Sequence, residues 1–216
     1  MTTRGQGVRR VELAQEMALD RIREALKARL SAPRFAHSVG VEMTARDMAR
    51  RFGADEYVCA VAGLLHDCGR DLDEHTLRRM AREAKGSGID ADTPNAVLLH
   101  GWAGARIAAI DFGVDDPRVL SAIEHHTTGA PGMSIEDRIV CLADFIEPGR
   151  DFPGVSHLRE LAGQGVDFAL AAALEDSMSY IVSHRGADAD PAALARSRAL
   201  VEEIKKSQEA GEFTVG

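Results

Sequence analysis

From Asp55 onward the chain reads Val58-Cys59-Ala60-Val61-Ala62-Gly63-Leu64-Leu65, apolar on every side of a helix, and then ends abruptly in His66-Asp67. A helix without a polar face must be enclosed by other elements, so this one predicts a central core helix, with Asp55 as its N-cap. The two polar side chains at its end then sit where water cannot solvate them. Each must be hydrogen-bonded, paired or bound to a metal.

The flanking sequence supplies more helices. Apolar residues Val11, Leu13, Met17, Ile22, Leu26 and Leu30 predict a helix over Val8–Leu30. Ser31-Ala32-Pro33 breaks it, and a second helix runs from Pro33 through His37 to Phe52, where Gly53 ends it. A polar surface helix is expected over Asp71–Lys85, then a loop at Gly86-Ser87-Gly88. Thr93 reads as an N-cap with Pro94 in first position for a helix through Asp111 that carries His100. Asp116-Pro117 opens a helix that runs into His125-His126 and stops at Thr127-Thr128-Gly129. Ser134 caps another, Ile135 to Ile146, with Asp144 late on an apolar face. Gly149–Gly154 reads as a loop, and two further helices are expected near Asp167–His184 and Pro191–Gln208, before a loose tail at Ala210–Gly216. The fold class is all-α, with no strand signal, internal repeat or interdomain linker.

Composition narrows the function. The formal charge of −8 argues against docking on a nucleic-acid backbone, which calls for clustered Lys and Arg. No apolar run approaches the ~20 residues of a membrane span, and the N-terminus carries no secretory segment, so a cytoplasmic protein with no membrane partner is expected. Cys59, Cys68 and Cys141 lack a C-x-x-C pairing and read as packing residues. His75, His157 and His184 lie in polar surroundings and read as surface residues.

The remaining His and Asp residues form a series spread over whole helices: His37, His66-Asp67, His100, His126 and Asp144. One histidine on an apolar helix is usually a satisfied core residue. Six such groups left unpaired would cost about 1–3 kcal/mol each against a net stability of about 5–15 kcal/mol. Metal binding satisfies all of them together. Mixed imidazole and carboxylate donors suit Fe, Mn, Zn, Co or Ni better than Ca or Mg. Six donors exceed one four-coordinate ion and suit a two-ion site with Asp67 as the shared carboxylate.

The order H…HD…H…H…D resembles that of the HD-domain superfamily, an all-α helical bundle of metal-dependent phosphohydrolases. The segments LLHDCGR, LLHGWAGA, AIEHHTTGAPGMS and ADFIEPGRDFPGV are similar to those of the YqeK-type family, over roughly Pro33 to Ala195. That family hydrolyses diadenosine tetraphosphate symmetrically to two ADP. The resemblance implies a first metal site from His37, His66, Asp67 and Asp144, and a second from Asp67, His100 and His126, occupied by two divalent ions with iron as first choice. It also implies attack by a metal-bridging hydroxide, a catalytic role for Asp67 and a homodimer.

For the substrate, Arg70 stands where many HD proteins carry Lys and is expected to act on phosphate. Thr127, Thr128 and Gly129 can either cradle phosphate or simply end a helix. Arg150 is expected to pair with phosphate or to hold Glu147 near the site. His125 is expected beside the site rather than as a ligand. The expected organisation is an N-terminal helix over 1–32 that caps the core or supports dimerisation, a hydrolase domain over 33–195, and an end segment over 196–216. Other HD nucleotide phosphatases or phosphodiesterases, and a nucleotide sensor without turnover, are the alternatives; the complete ligand series argues against the last.

Overall fold

The computed structural model describes residues 3–83, 90–186 and 189–211. Among them are ten α-helices and one short 3-10 turn, with no strand. The helices are α1 (Thr3–Arg29), α2 (Ala32–Phe52), α3 (Glu56–Leu65), α4 (Glu74–Glu83), α5 (His100–Asp111), α6 (Pro117–His125), α7 (Ile135–Ile146), α8 (Val155–Ala162), α9 (Val166–Arg185) and α10 (Pro191–Glu209). The expected loop at Gly86–Gly88 and most of the expected tail lie outside the described residues.

Helix α3 is the hub. Every residue from Val58 to Leu65 is buried, and α3 packs against α2, α6 and α7. Asp55 caps it as expected, its carboxylate accepting the N–H groups of Tyr57 and Val58 at 3.0 and 3.1 Å. Asp116 caps α6 through Arg118 N–H, and Ser134 caps α7 in a reciprocal box with Asp137. Helix α9 packs across α7, α8 and α10.

Three expectations need correction. Helix α1 begins at Thr3, and among its described side chains the second half faces the core: Leu19 and Leu26, with Leu30 just after it, are buried, whereas Val11, Leu13 and Met17 are 50% or more exposed. The buried Glu42 of α2 receives Arg23 of α1, which clamps the second half down. Thr93 does not cap a helix through Asp111. Its hydroxyl bonds Asp190, the N-cap of α10, and the chain passes through a 3-10 turn, Ala96–Leu99, before α5 starts at His100. Helix α8 was not anticipated; it is eight residues long and anchors only Val155, Leu158 and Ala162, too short a pattern to stand out.

Candidate metal centre

Five helices deliver six side chains to one place. His37 comes from α2, His66-Asp67 from the end of α3, His100 from the first turn of α5, His126 from the end of α6, and Asp144 from α7. Bringing α5 against α6 depends on Gly101. A Cβ there would stand 2.8 Å from the carbonyl oxygen of Glu124, so only glycine lets His100 and His126 meet.

The imidazoles are oriented by their outer nitrogens. The Nδ1 atoms of His66 and His126 donate to the carbonyls of Gly63 and Ile123, both at 2.7 Å, and His100 Nδ1 donates to that of Val97. Carbonyls only accept, so these rings carry their proton on Nδ1. His37 differs: its Nδ1 faces the buried carboxylate of Glu147 at 3.1 Å. All four Nε2 atoms therefore turn inward as acceptors.

They meet in two pairs. His37 and His66 approach Nε2 to Nε2 at 3.2 Å, and His100 and His126 at 3.0 Å. Asp67 lies between the pairs, with Oδ2 3.6 Å from His66 and Oδ1 3.2 and 3.7 Å from His100 and His126. Asp144 Oδ1 is 2.9 Å from His37 Nε2 and 3.8 Å from His66 Nε2. Three overlapping donor groups result: His37, His66 and Asp67; His66, His126 and Asp144; and Asp67, His100 and His126. Facing imidazole lone pairs flanked by carboxylates repel one another unless a cation lies among them, so the donor set fits divalent metal.

Electrostatics agrees. Burial holds His66 down at about 4, against the pull of Asp67 and Asp144, so it is a neutral ligand at neutral pH. Burial also lowers His100. His126 is buried as well, yet its contact with Asp67 outweighs that and raises it; at most one proton fits in its 3.0 Å approach to His100. Burial works to raise both aspartates, but the contacts of Asp67 with His66, His100 and His126, and of Asp144 with His37, His66 and Arg150, prevail and hold both well below the ordinary carboxylate range.

Two arginines complete the site. Arg34 Nη1 lies 2.6 Å from Asp67 Oδ2, and Arg150 bonds both the side chain and, at 2.6 Å, the carbonyl of Asp144. Of the two roles expected of Arg150, phosphate pairing or holding Glu147, the second reduces to its backbone N–H, which meets the Glu147 carbonyl at 3.0 Å; the Glu147 carboxylate holds His37. Arg34 was missed, although its position one turn before His37 puts both on one face of α2. Arg70 is half-buried just beyond the HD turn, with its N–H bonded to the Asp67 carbonyl. Thr127 Oγ1 stands 3.3 and 3.1 Å from Nε2 of His100 and His126. Thr128 and Gly129 are bonded within the turn: the Thr128 hydroxyl bonds the Gly129 carbonyl, the Thr128 carbonyl accepts from Ser197, and the Gly129 N–H bonds the His125 carbonyl. His125 faces Ser121 at 3.2 Å and does not join the cluster. His75, His157 and His184 are exposed, and all three cysteines are buried and unpaired.

Comparison with known proteins agrees with this geometry. Residues 34–149, which include all six donors, match the HD domain family. The chain is 36% identical over 159 residues to a Halalkalibacterium halodurans protein named symmetrical bis(5′-nucleosyl)-tetraphosphatase, covering 74% of this chain and 84% of the relative. A Bacillus subtilis protein of the same name is 34% identical over 158 residues, covering 73% and 84%. A crystal structure from Clostridium acetobutylicum, described as a predicted HD superfamily hydrolase involved in NAD metabolism, superposes with a TM-score of 0.79 at 34% identity, covering 85% of this chain and 97% of that one. A donor set built for divalent metal, a matching domain and relatives similar over most of their length lead to one assignment: the chain belongs to the HD-domain family, in its YqeK-type branch of symmetrical bis(5′-nucleosyl)-tetraphosphatases.

Proposed function

We propose that the chain hydrolyses diadenosine tetraphosphate at its central bridge, releasing two ADP. The observation that carries this reading is the meeting of four inward-facing Nε2 atoms around Asp67 and Asp144, in a chain whose relatives bear that activity in their names. His37, His66, Asp67 and Asp144 would hold one ion, and His100 and His126 a second, with Asp67 shared. Iron is the first choice, and Mn, Co, Ni or Zn the alternatives. Bound there, the ions supply Lewis acidity for the polyphosphate and acidify the attacking water.

In the reaction, a water oxygen bonds to one of the two inner phosphorus atoms. The bond from that phosphorus to the central bridging oxygen breaks, its electron pair leaves with the second ADP, and the water's proton is released. This chain's residues position the charge. Arg150 and Arg34 bond the two carboxylates and would offer their guanidinium groups to phosphate oxygens, and Arg70, next to the HD turn, would act on phosphate with them. The Thr127 hydroxyl is a donor at the second pair of imidazoles. Gly129 shapes the turn that presents it. The catalytic unit is taken as residues 33–195.

The buried half of α1 supports the core, and its outer half, with Val11, Leu13 and Met17, is the surface assigned to a homodimer. Light scattering on a chain lacking residues 1–30 separates the two roles.

Product analysis tests the reaction. Metal-loaded protein should release two ADP per diadenosine tetraphosphate, and Asp67→Ala none. AMP plus ATP would keep a hydrolase and reject central cleavage. No turnover with any of the five metals would reject the reaction.

A further inference from the structure

A substrate cut at its midpoint needs a place for a nucleoside on each side of the reacting centre, and the surface offers two hollows, one beside Asp144 and one beside Thr127. Beside Asp144 and Arg150 lies a hollow of about 600 Å³, walled by Phe152 and Tyr180. Beside Thr127, whose hydroxyl reaches His100 and His126, lies a second of about 270 Å³, walled by Trp102 and His125 with Arg196 in its lining. A narrower recess between α9 and α10 shares Ser177 with the first and Thr127 and Thr128 with the second, and is lined by none of the six donors. Both hollows approach the scale of small-molecule sites, about 300–1,000 Å³.

Each hollow carries aromatic and polar chemistry suited to a nucleoside. The chain has one Trp and two Tyr; Trp102 stands in one hollow and Tyr180, 63% exposed, in the other. In the second hollow His125 is held by a relay. The buried Asp137 accepts the Ser121 hydroxyl at 3.1 Å, so Ser121 in turn accepts His125 Nδ1–H at 3.2 Å. That tautomer leaves Nε2 an acceptor, ready for an amino or hydroxyl hydrogen of a nucleoside.

We infer that diadenosine tetraphosphate spans the metal centre, with its phosphates between Asp144 and Thr127, one adenosine in the Phe152–Tyr180 hollow and the other in the Trp102–His125 hollow. This rests on the function proposed above.

Titrating the metal-loaded chain with ADP tests it. The wild-type chain should bind two ADP. Tyr180→Ala and Trp102→Ala should each weaken one of the two by roughly five- to a hundred-fold, the range for losing a stacked base, and the double variant both. Should Trp102→Ala fail to fold, the exposed Arg196→Ala reads the same hollow. One ADP per wild-type chain, two that neither variant disturbs, or loss of both in a single variant would each overturn this placement. The products of diadenosine tetraphosphate cleavage by the same preparation judge the reaction separately, so either idea can fail alone.

Discussion

His37 and Glu147 lie 110 positions apart in sequence, yet the imidazole Nδ1 of one is 3.1 Å from the buried carboxylate of the other. The remaining three imidazoles in the cluster lean on backbone carbonyls, which no substitution can remove. Glu147 is fixed in turn by the Gly149 N–H at 2.5 Å, and a Cβ on Gly40 would stand 2.5 Å from its Oε2. A carboxylate behind a histidine fixes the ring and raises its basicity toward metal.

Glu147→Gln should therefore weaken metal binding on the His37 side about 10–100-fold, the usual loss for such a partner. Competition with a chelator measures it. Gly40→Ala, which displaces the same carboxylate, should act in the same direction, and unchanged metal retention in both would show that Glu147 does not orient the ligand.

Metal should also stabilise the fold, because six inward-facing donors repel one another without it. At free metal 100 times the dissociation constant the gain is about 2.7 kcal/mol, read as a rise in melting temperature on adding metal to stripped protein. The effect should fade in acid. Burial depresses His37, but Asp144 and Glu147 outweigh it and leave its pKa raised, as Asp67 does for His126, so protons compete for both ligands as pH falls from neutral. A metal-induced shift of equal size at pH 5 and pH 8 would contradict this.

Gly101→Ala should destabilise the protein by about 1–3 kcal/mol, the cost of forcing an atom into a closed contact. Because that contact joins the helices carrying His100 and His126, metal stoichiometry should fall along with the denaturation midpoint. Loss of stability with both ions retained would separate the contact from the site.

The thiols give a cleaner readout. Burial pushes Cys59 and Cys68 up to about 12, and Cys141 up as well. At pH 8 they are protonated and enclosed, so a thiol reagent should find none in the folded protein and all three in denaturant.

What the sequence disclosed divides along physical lines. Caps at Asp55, Asp116 and Ser134 were legible because each acts on backbone within three residues. The six donors were legible because they are the wrong chemistry for apolar surroundings. Glu147 and Arg34 were assigned no such role, since a Glu after a helix and an Arg in its first turn look ordinary until their partners arrive from elsewhere. Thr93 misled for the same reason: a good local cap residue was claimed by Asp190, 97 positions away.

The spread of the donors has a consequence for biosynthesis. Apart from His66-Asp67, no two lie within one helix, and Asp144 comes last. A nascent chain therefore offers metal only scattered, single ligands until α7 has left the ribosome and docked on α3. Metal uptake marks the completion of the tertiary fold, and fragments ending before α7 should not retain a full complement of ions.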